Sequence, residues 1–154
     1  MGRPTPFQER DALETMTVLV DTREQDTRAL RARLAALGCP WRREKLDFGD
    51  YGCAYRAPCG GERRLPAVVE RKMSIDELCA CFTWERPRFE REFERAAAAG
   101  ARLYLLVENA SWEAVLQGDY RSRMRPDALA ASLLAWQARY EMRLLFCKPE
   151  HTGV

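Results

Sequence analysis

Residues 66–78 read PAVVERKMSIDEL, and in this stretch the pattern of a strand is followed directly by the pattern of a helix. The apolar, β-branched run at the start predicts a strand over residues 66–71 that ends in charged side chains. Ser74 and Glu77 then have the spacing of a capping box, which predicts that a helix begins at Ser74 and continues to residue 81 or 82. A strand therefore leads into a helix, with charged residues between them.

Similar strand and helix patterns extend along the chain on both sides of this stretch. Strands that alternate with helices imply an α/β sandwich built on one mixed sheet. Residues 1–15 show no clear period and are expected to form a flexible N-terminal arm, and residues 148–154 a polar C-terminal tail. We expect further strands at 16–21, 41–46, 51–56, 102–107 and 142–147, and further helices at 26–37, 86–99, 112–116 and 126–140.

Length and composition indicate one folded domain. The chain has 154 residues, 47% of them hydrophobic and 31% charged, which is ordinary for a globular protein and argues against disorder. It has no run of the about 18 apolar residues that a membrane helix needs and no apolar signal core. An intracellular protein is expected, cytoplasmic in a bacterium or phage and nuclear in a eukaryote. The net charge of +2 neither requires nor excludes a nucleic-acid partner.

Six cysteines and one histidine restrict the chemistry. Four of the cysteines could be imagined as zinc ligands, but their spacings lack the C-x2-C form of structural zinc sites. We expect free thiols, because a reducing compartment and an adequate core argue against disulfides. Because His151 is the only histidine, a Ser–His or Cys–His catalytic pair is not expected.

Acidic residues stand at the ends of four predicted strands: Asp21, Asp50, Glu70 and Glu108. In α/β sheets the strand ends are where functional sites collect. Carboxylates bunched at neighbouring strand ends repel one another unless a cation lies between them. The alternative for each acid is a solvated strand end or a partner of a helix dipole.

Glu70 and Lys72 strengthen the first interpretation. Side chains alternate along a strand, so these two point to one face with Cβ atoms about 7 Å apart, while Arg71 points away. Asp50 supplies a second carboxylate, on an adjoining strand if the predicted hairpin pairs. Two carboxylates and a lysine suit metal-assisted phosphodiester hydrolysis, in which oxygen ligands hold Mg²⁺ and the ammonium holds or activates water and offsets charge.

The chain resembles the nuclease domain of the XPF-type (ERCC-family) structure-specific DNA endonucleases. That family's pattern is an early Asp, then Gly-Asp, then Glu-Arg-Lys, then Asp after three residues, and here it falls on Asp21, Gly49-Asp50, Glu70-Arg71-Lys72 and Asp76. The similarity covers roughly residues 16–147. It implies a restriction-endonuclease-like three-layer sandwich with a central mixed sheet flanked by helices. It also implies dependence on Mg²⁺, with Mn²⁺ as a substitute, and cleavage of duplex DNA near a junction with single strand.

The resemblance assigns roles residue by residue. Asp50 and Glu70 match the family's metal ligands, Asp21 matches a further acidic position and is a third metal candidate, and Lys72 matches the catalytic lysine. Arg71 and Asp76 complete the catalytic set. Physically, Asp76 lies in the first turn of a predicted helix, where it either favours the dipole or, as we prefer, orients Lys72 or Arg71.

The candidate DNA-binding residues are arginines. Arg23 follows Asp21, and it either binds a phosphate or pairs with that carboxylate; the role of its neighbour Glu24 stays open. Arg88 belongs to the family-like stretch, although the surrounding charges also suit a salt-bridged solvent face. The loop cluster of Arg121, Arg123 and Arg125 is a phosphate patch or simply solvated.

The four tryptophans could stack on unpaired bases, but burial is the expectation for most of them. Trp84 is the exception, because it lies in a predicted helix–helix connection among charged residues near the proposed site.

These observations favour a metal-dependent, structure-specific DNA endonuclease that cuts branched, flap or forked DNA. One alternative is a catalytically silent DNA-binding partner subunit of the same fold, although silent relatives lose carboxylates or the lysine and this chain retains them. Another is a junction resolvase of a mobile element or phage. Larger relatives usually append helix-hairpin-helix modules that this chain lacks, so DNA affinity is expected from the nuclease domain, from a homodimer or heterodimer, or from another protein.

Overall fold

The structure, a computed structural model, describes residues 6–154. Its helices and strands follow the order expected from the sequence, with two additions at the start and in the middle. The elements are α1 (Pro6–Glu14), β1 (Thr17–Asp21), α2 (Arg28–Ala36), β2 (Trp41–Glu44), β3 (Tyr51–Arg56), β4 (Glu62–Arg64), β5 (Ala67–Lys72), α3 (Ile75–Phe82), α4 (Arg86–Ala98), β6 (Arg102–Glu108), α5 (Trp112–Gln117), α6 (Pro126–Tyr140) and β7 (Arg143–Cys147), followed by a 3-10 turn at Pro149–His151.

The seven strands form one mixed sheet in the order β2-β1-β3-β5-β6-β7, with β4 paired to β3 alone. β1 runs parallel to β2, and β5, β6 and β7 run parallel to one another. β3 is antiparallel to both β1 and β5 and so joins the two parallel parts. The predicted α/β fold with a central mixed sheet and flanking helices is confirmed.

Helices cover both faces of the sheet. On one face the buried side chains of β6 pack with α3, α4 and α6, where Trp136 lies 5.0 Å from Phe82, 5.1 Å from Phe89 and 4.9 Å from Phe93 between ring centroids. On the other face, Leu30 and Leu34 of α2 pack with Val20 of β1. The aromatic side chains of α3, α4 and α6 thus pack together in the largest cluster of buried residues.

The capping box at the start of α3 forms as predicted, except that Glu77 accepts the amide hydrogen of Met73 and not that of Ser74. Ser74 Oγ accepts the amide hydrogen of Glu77 at 3.2 Å. The Glu77 carboxylate accepts the amide hydrogen of Met73 at 2.7 Å. These two hydrogen bonds fix the start of α3 directly after the end of β5.

The structure differs from the expectation in two places. Of residues 1–15, for which the sequence predicts an arm, residues 1–5 lie outside the described part of the chain, and Pro6–Glu14 is helical, with an i,i+4 ion pair between Arg10 and Glu14 at 3.2 Å. β4 was not expected, because Glu62–Arg64 has no alternating apolar pattern. It pairs through its backbone with β3, and Glu62 also forms an ion pair with Arg42 of β2 at 2.6 Å.

None of the helices in the described residues is long and apolar enough to cross a membrane. All six cysteines are free, and Cys79 and Cys81 are buried as small apolar side chains.

Candidate active site

The turn before β3 places Asp50 between the ends of β1 and β5. The amide of Asp50 donates to the carbonyl of Val69 at 2.8 Å, and its carbonyl accepts the amide of Asp21 at 2.8 Å. Gly49 makes this turn possible. Its φ is +73°, and a Cβ at this position would lie 2.9 Å from Cβ of Val68, so only glycine fits without a shift.

The carboxylate of Asp50 is buried and held by the backbone. Its Oδ2 accepts the amide hydrogen of Arg71 at 2.8 Å. Burial raises the pKa of Asp50 to about 6; the Arg71 hydrogen bond works against this rise, and the nearby charge of Glu24 adds to it.

Glu70 and Lys72 lie side by side on one face of β5, as strand alternation predicts. Nζ of Lys72 is 2.5 Å from Oε1 of Glu70, and both side chains are almost fully buried. Burial, with the charge of Asp50 added, raises the pKa of Glu70 to about 8. Burial opposes the charge on Lys72, but Glu70 and Asp50 outweigh it and hold the Lys72 pKa above its ordinary range.

Asp50, Glu70 and Lys72 form the catalytic cluster of the proposed site, and Glu92 of α4 lies beside it. Its Oε1 accepts the amide hydrogen of Gly49 at 2.9 Å, and its charge contributes to the raised pKa values of both Asp50 and Glu70. The sequence offered no signal for Glu92, because its stretch of alternating Arg and Glu suits a solvated helix face. Only the packing of α4 over the Gly49 turn between β2 and β3 brings it to the site.

Asp21 lies at the end of β1, but its carboxylate is committed to other partners. Oδ1 accepts from the backbone N–H and the Nε–H of Arg23, both at 2.7 Å, and Oδ2 accepts from the amide of Leu46 at 2.8 Å. Burial opposes ionisation, yet these donors hold the Asp21 pKa below its usual value. Of the two roles considered for Arg23, the structure shows the pairing with Asp21. The place of Asp21 as a metal ligand stays a prediction.

Arg71 points to the opposite face of β5, as predicted. Its guanidinium pairs with the buried carboxylate of Glu108 at 3.1 Å, which also accepts the hydroxyl hydrogen of Thr152 at 2.6 Å. Arg71 therefore reaches the cluster only through its amide. The strand-end acid Glu108 is used in this ion pair and not beside Asp50 and Glu70.

Asp76 makes no hydrogen bond to Lys72 or Arg71 in the part of the chain that the structure describes, and its place in the catalytic set stays a prediction. Its carboxylate accepts the amides of Arg121 at 2.9 Å and Ser122 at 2.7 Å, and the Nε–H of Arg121 at 3.3 Å. The carboxylate turns away from β5 because the 118–125 loop presents these donors at the start of α3. Burial works against its ionisation, but these hydrogen bonds hold the Asp76 pKa below its usual value.

The predicted arginine cluster lies on this loop and is exposed. Arg121 pairs with Asp76, and Arg125 pairs with Asp127 at 2.7 Å. Arg123 has no ion-pair partner among the side chains that the structure describes. The carboxylates of Asp76 and Asp127 thus reduce the net positive charge of this cluster. The DNA-binding roles of Arg88 and of this cluster stay predictions.

The carboxylates at the site suit one kind of metal. In residues 10–154, whose side chains are described, no three His, Cys, Asp or Glu side chains form a group able to hold a metal alone. Asp50 and Glu70 nevertheless provide two buried carboxylates that repel each other, which a cation between them would relieve. One or two carboxylates, completed by water and phosphate oxygens, is the donor set that Mg²⁺ accepts. It differs from the Cys and His ligand sets of structural zinc sites.

Comparison with known proteins identifies a family and similar folds. The family model described as ERCC4 domain matches residues 20–153. Two solved structures are similar over most of the chain: XPF from Aeropyrum pernix, with a TM-score of 0.61, 26% identity and coverage of 88% of this chain, and XPF from the same organism in complex with DNA, with a TM-score of 0.61, 26% identity and coverage of 89%. The chain spans 60% and 59% of the lengths of those two chains. Comparison with curated protein sequences gives no significant match.

Proposed function

The chain belongs to the ERCC4 domain family of XPF-type nucleases, and on this premise we propose that it is a metal-dependent endonuclease for branched, flap or forked DNA. The observation that carries the proposal is the buried Glu70–Lys72 pair, 2.5 Å apart, with the Asp50 carboxylate beside it. Acids with raised pKa values and a buried lysine at a strand end are typical of catalytic sites.

Asp50 and Glu70 are the residues that would hold Mg²⁺, or Mn²⁺ in its place. When bound, the ion supplies polarisation of the phosphoryl oxygen and lowers the pKa of a bound water. A bound cation would also remove the repulsion between the two carboxylates. This explains why two acids whose pKa values are raised without metal stand side by side in the site.

Lys72 acts as a fixed positive charge in this proposal. Against the effect of burial, the neighbouring Glu70 and Asp50 carboxylates hold its pKa above the ordinary range, which favours the charged ammonium form. It donates hydrogen bonds to the attacking water or to a phosphate oxygen and offsets the negative charge that develops as water attacks phosphorus. The family chemistry implies products with a 5′-phosphate and a 3′-hydroxyl.

The remaining groups hold these three side chains in place. The amide of Arg71 fixes Asp50, and the Glu92 carboxylate fixes the Gly49 turn that precedes it. Phe89 closes the site below Lys72, with the ring centroid 5.2 Å from Nζ. A charge held on rigid elements needs little reorganisation when the reaction occurs, which is the main source of its effect.

The test is cleavage of end-labelled fork, flap and four-way-junction DNA with Mg²⁺ by the native chain and by Asp50→Asn and Lys72→Met. The matched controls are Asp47→Asn and Lys45→Ala, which alter exposed residues of the same types nearby. We expect both site variants to lose at least a hundredfold in rate while they still bind DNA, and both controls to cleave like the native chain.

Equal cleavage by the native chain and both site variants would overturn the proposal. A native chain that binds these DNAs but neither cleaves them nor binds Mg²⁺ would favour a silent partner subunit. Cleavage confined to the four-way junction would favour a resolvase.

A further inference from the structure

We propose that residues 83–88, the α3–α4 corner, bind an unpaired nucleotide of the DNA next to the cleaved bond, with Trp84 stacked on its base. Arg86 and Arg88 contact the phosphates on either side. This inference rests on the proposed function, because it names the part of a DNA substrate that lies beside the catalytic cluster. It would give the nuclease domain itself a means to select junctions with single strand.

Trp84 differs from the other tryptophans. Its side chain is 77% exposed, whereas Trp136 is buried in the aromatic cluster and Trp112 packs edge-on against Phe146 at 5.7 Å. Trp41, on the edge strand β2, is 44% exposed. A single exposed apolar side chain is common on protein surfaces, so the argument depends on where Trp84 lies.

The α3–α4 corner is held rigidly. Thr83 Oγ1 donates to the carbonyl of Cys79 at 2.8 Å, and the amide of Glu85 donates to the carbonyl of Ala80 at 3.1 Å. Phe82 and Phe89, on either side of the corner, are both packed against Trp136. The exposed indole is therefore presented on a fixed backbone, which lowers the entropy that a ligand must overcome on binding.

The corner lies next to the catalytic cluster. Phe89, at the start of α4, is in contact with the Lys72 ammonium. One turn further along the same helix, Glu92 binds the amide of Gly49 beside Asp50. A DNA strand whose phosphate sits at Lys72 would thus place an adjacent nucleotide over the corner.

The charges around Trp84 suit a nucleic-acid strand. Arg86 and Arg88 are exposed, and neither forms an ion pair with another side chain in residues 10–154. By contrast, Arg121, Arg125 and Arg139 are all paired with carboxylates. An aromatic ring flanked by unpaired cations is the arrangement by which proteins bind single strands, through stacking on any base and attraction to phosphates.

The test measures binding without cleavage, in metal-free buffer, by anisotropy of a labelled fork with unpaired arms and of a fully paired duplex of equal length. Native chain, Trp84→Ala and Trp84→Phe are compared, with Trp41→Ala as a control that removes a tryptophan from an exposed position elsewhere. We expect Trp84→Ala to weaken fork binding about tenfold or more and duplex binding by no more than about twofold. Trp84→Phe should stay near the native affinity, Trp41→Ala should match it, and both Trp84 variants should keep the native thermal midpoint.

Native affinity of Trp84→Ala for the fork overturns the inference. An equal loss on fork and duplex overturns it as well, because the contact would then not depend on unpaired bases. The inference is also overturned if the native chain binds the fork no more tightly than the fully paired duplex. The proposed function fails separately: if the native chain cleaves nothing but Trp84→Ala loses fork binding selectively, the corner binds DNA and the hydrolytic role is wrong.

Discussion

The amide of Arg71 donates a 2.8 Å hydrogen bond to Oδ2 of Asp50, while its guanidinium pairs with Glu108 on the opposite face of the sheet. The central residue of the Glu-Arg-Lys run thus supports the site through its backbone and the fold through its side chain. The Arg71 and Glu108 side chains are both nearly buried. Such a pair contributes little beyond what well-packed apolar residues would, but removal of one partner leaves a buried charge unpaired.

The first prediction follows from this division of roles. Arg71→Met should lower the free energy of unfolding by about 3 kcal/mol, because Glu108 is left without its partner. The double variant Arg71→Met with Glu108→Leu should recover most of that loss and most of the cleavage rate, since the amide that holds Asp50 is still present. Urea unfolding and cleavage assays on all four members of the cycle measure both effects. A double variant that folds stably but does not cleave would place the guanidinium in the reaction.

The second prediction concerns the turn at Gly49. Gly49→Ala should destabilise the protein by about 2 kcal/mol or more and reduce cleavage, because its φ is +73° and the new Cβ would meet Val68. Gly60→Ala is the matched control, with a φ of +85° and no atom within 4 Å of the new Cβ. Gly60→Ala should lower the free energy of unfolding by only about 1 kcal/mol, the cost of a positive φ at alanine, and should cleave normally. Equal losses in both variants would mean that the contact with Val68 does not matter.

The third prediction concerns the pH dependence of stability without metal. Burial raises the folded-state pKa of Asp50 from 3.8 to about 6, so its favourable contribution is complete below pH 3.8 and is lost as the pH rises through 6. Asp50→Asn removes this loss and still accepts the Arg71 hydrogen bond. It should therefore be more stable than the native chain at pH 8 in a chelator, by about 3 kcal/mol, and nearly equal near pH 4.

Chemical unfolding at several pH values checks this difference, and added Mg²⁺ should narrow it by stabilising only the native chain. A variant less stable than the native chain at pH 8 would contradict the assignment of Asp50 as an acid strained by burial.

The fourth prediction concerns Asp76. Asp76→Ala should speed hydrogen exchange at the amides of Arg121 and Ser122 and weaken DNA binding, while Mg²⁺ affinity stays unchanged, because the carboxylate anchors the 118–125 loop. Glu77→Ala is a suitable comparison, because it removes a carboxylate from the same turn that binds Met73 instead. A tenfold loss of Mg²⁺ affinity in Asp76→Ala alone would instead make Asp76 part of the metal site.

Several features of this protein depend on patterns that are local in the chain. The alternation of β5 places Glu70 and Lys72 on one face and Arg71 on the other. Ser74 begins α3 because its side chain caps a nearby amide, and Pro126 begins α6 because a proline suits a first helical turn. These interactions join residues at most a few positions apart, so the sequence is sufficient to predict them.

Other features depend on which distant elements meet in space. Glu92 reaches the Gly49 turn because α4 packs over it, and Asp76 turns to the 118–125 loop because that loop supplies backbone donors. Both residues lie in stretches of charge that a free helix would leave solvated. The sequence around a carboxylate does not reveal which distant backbone amide it will bind. The partners of Glu92 and Asp76 are therefore decided by the tertiary structure alone.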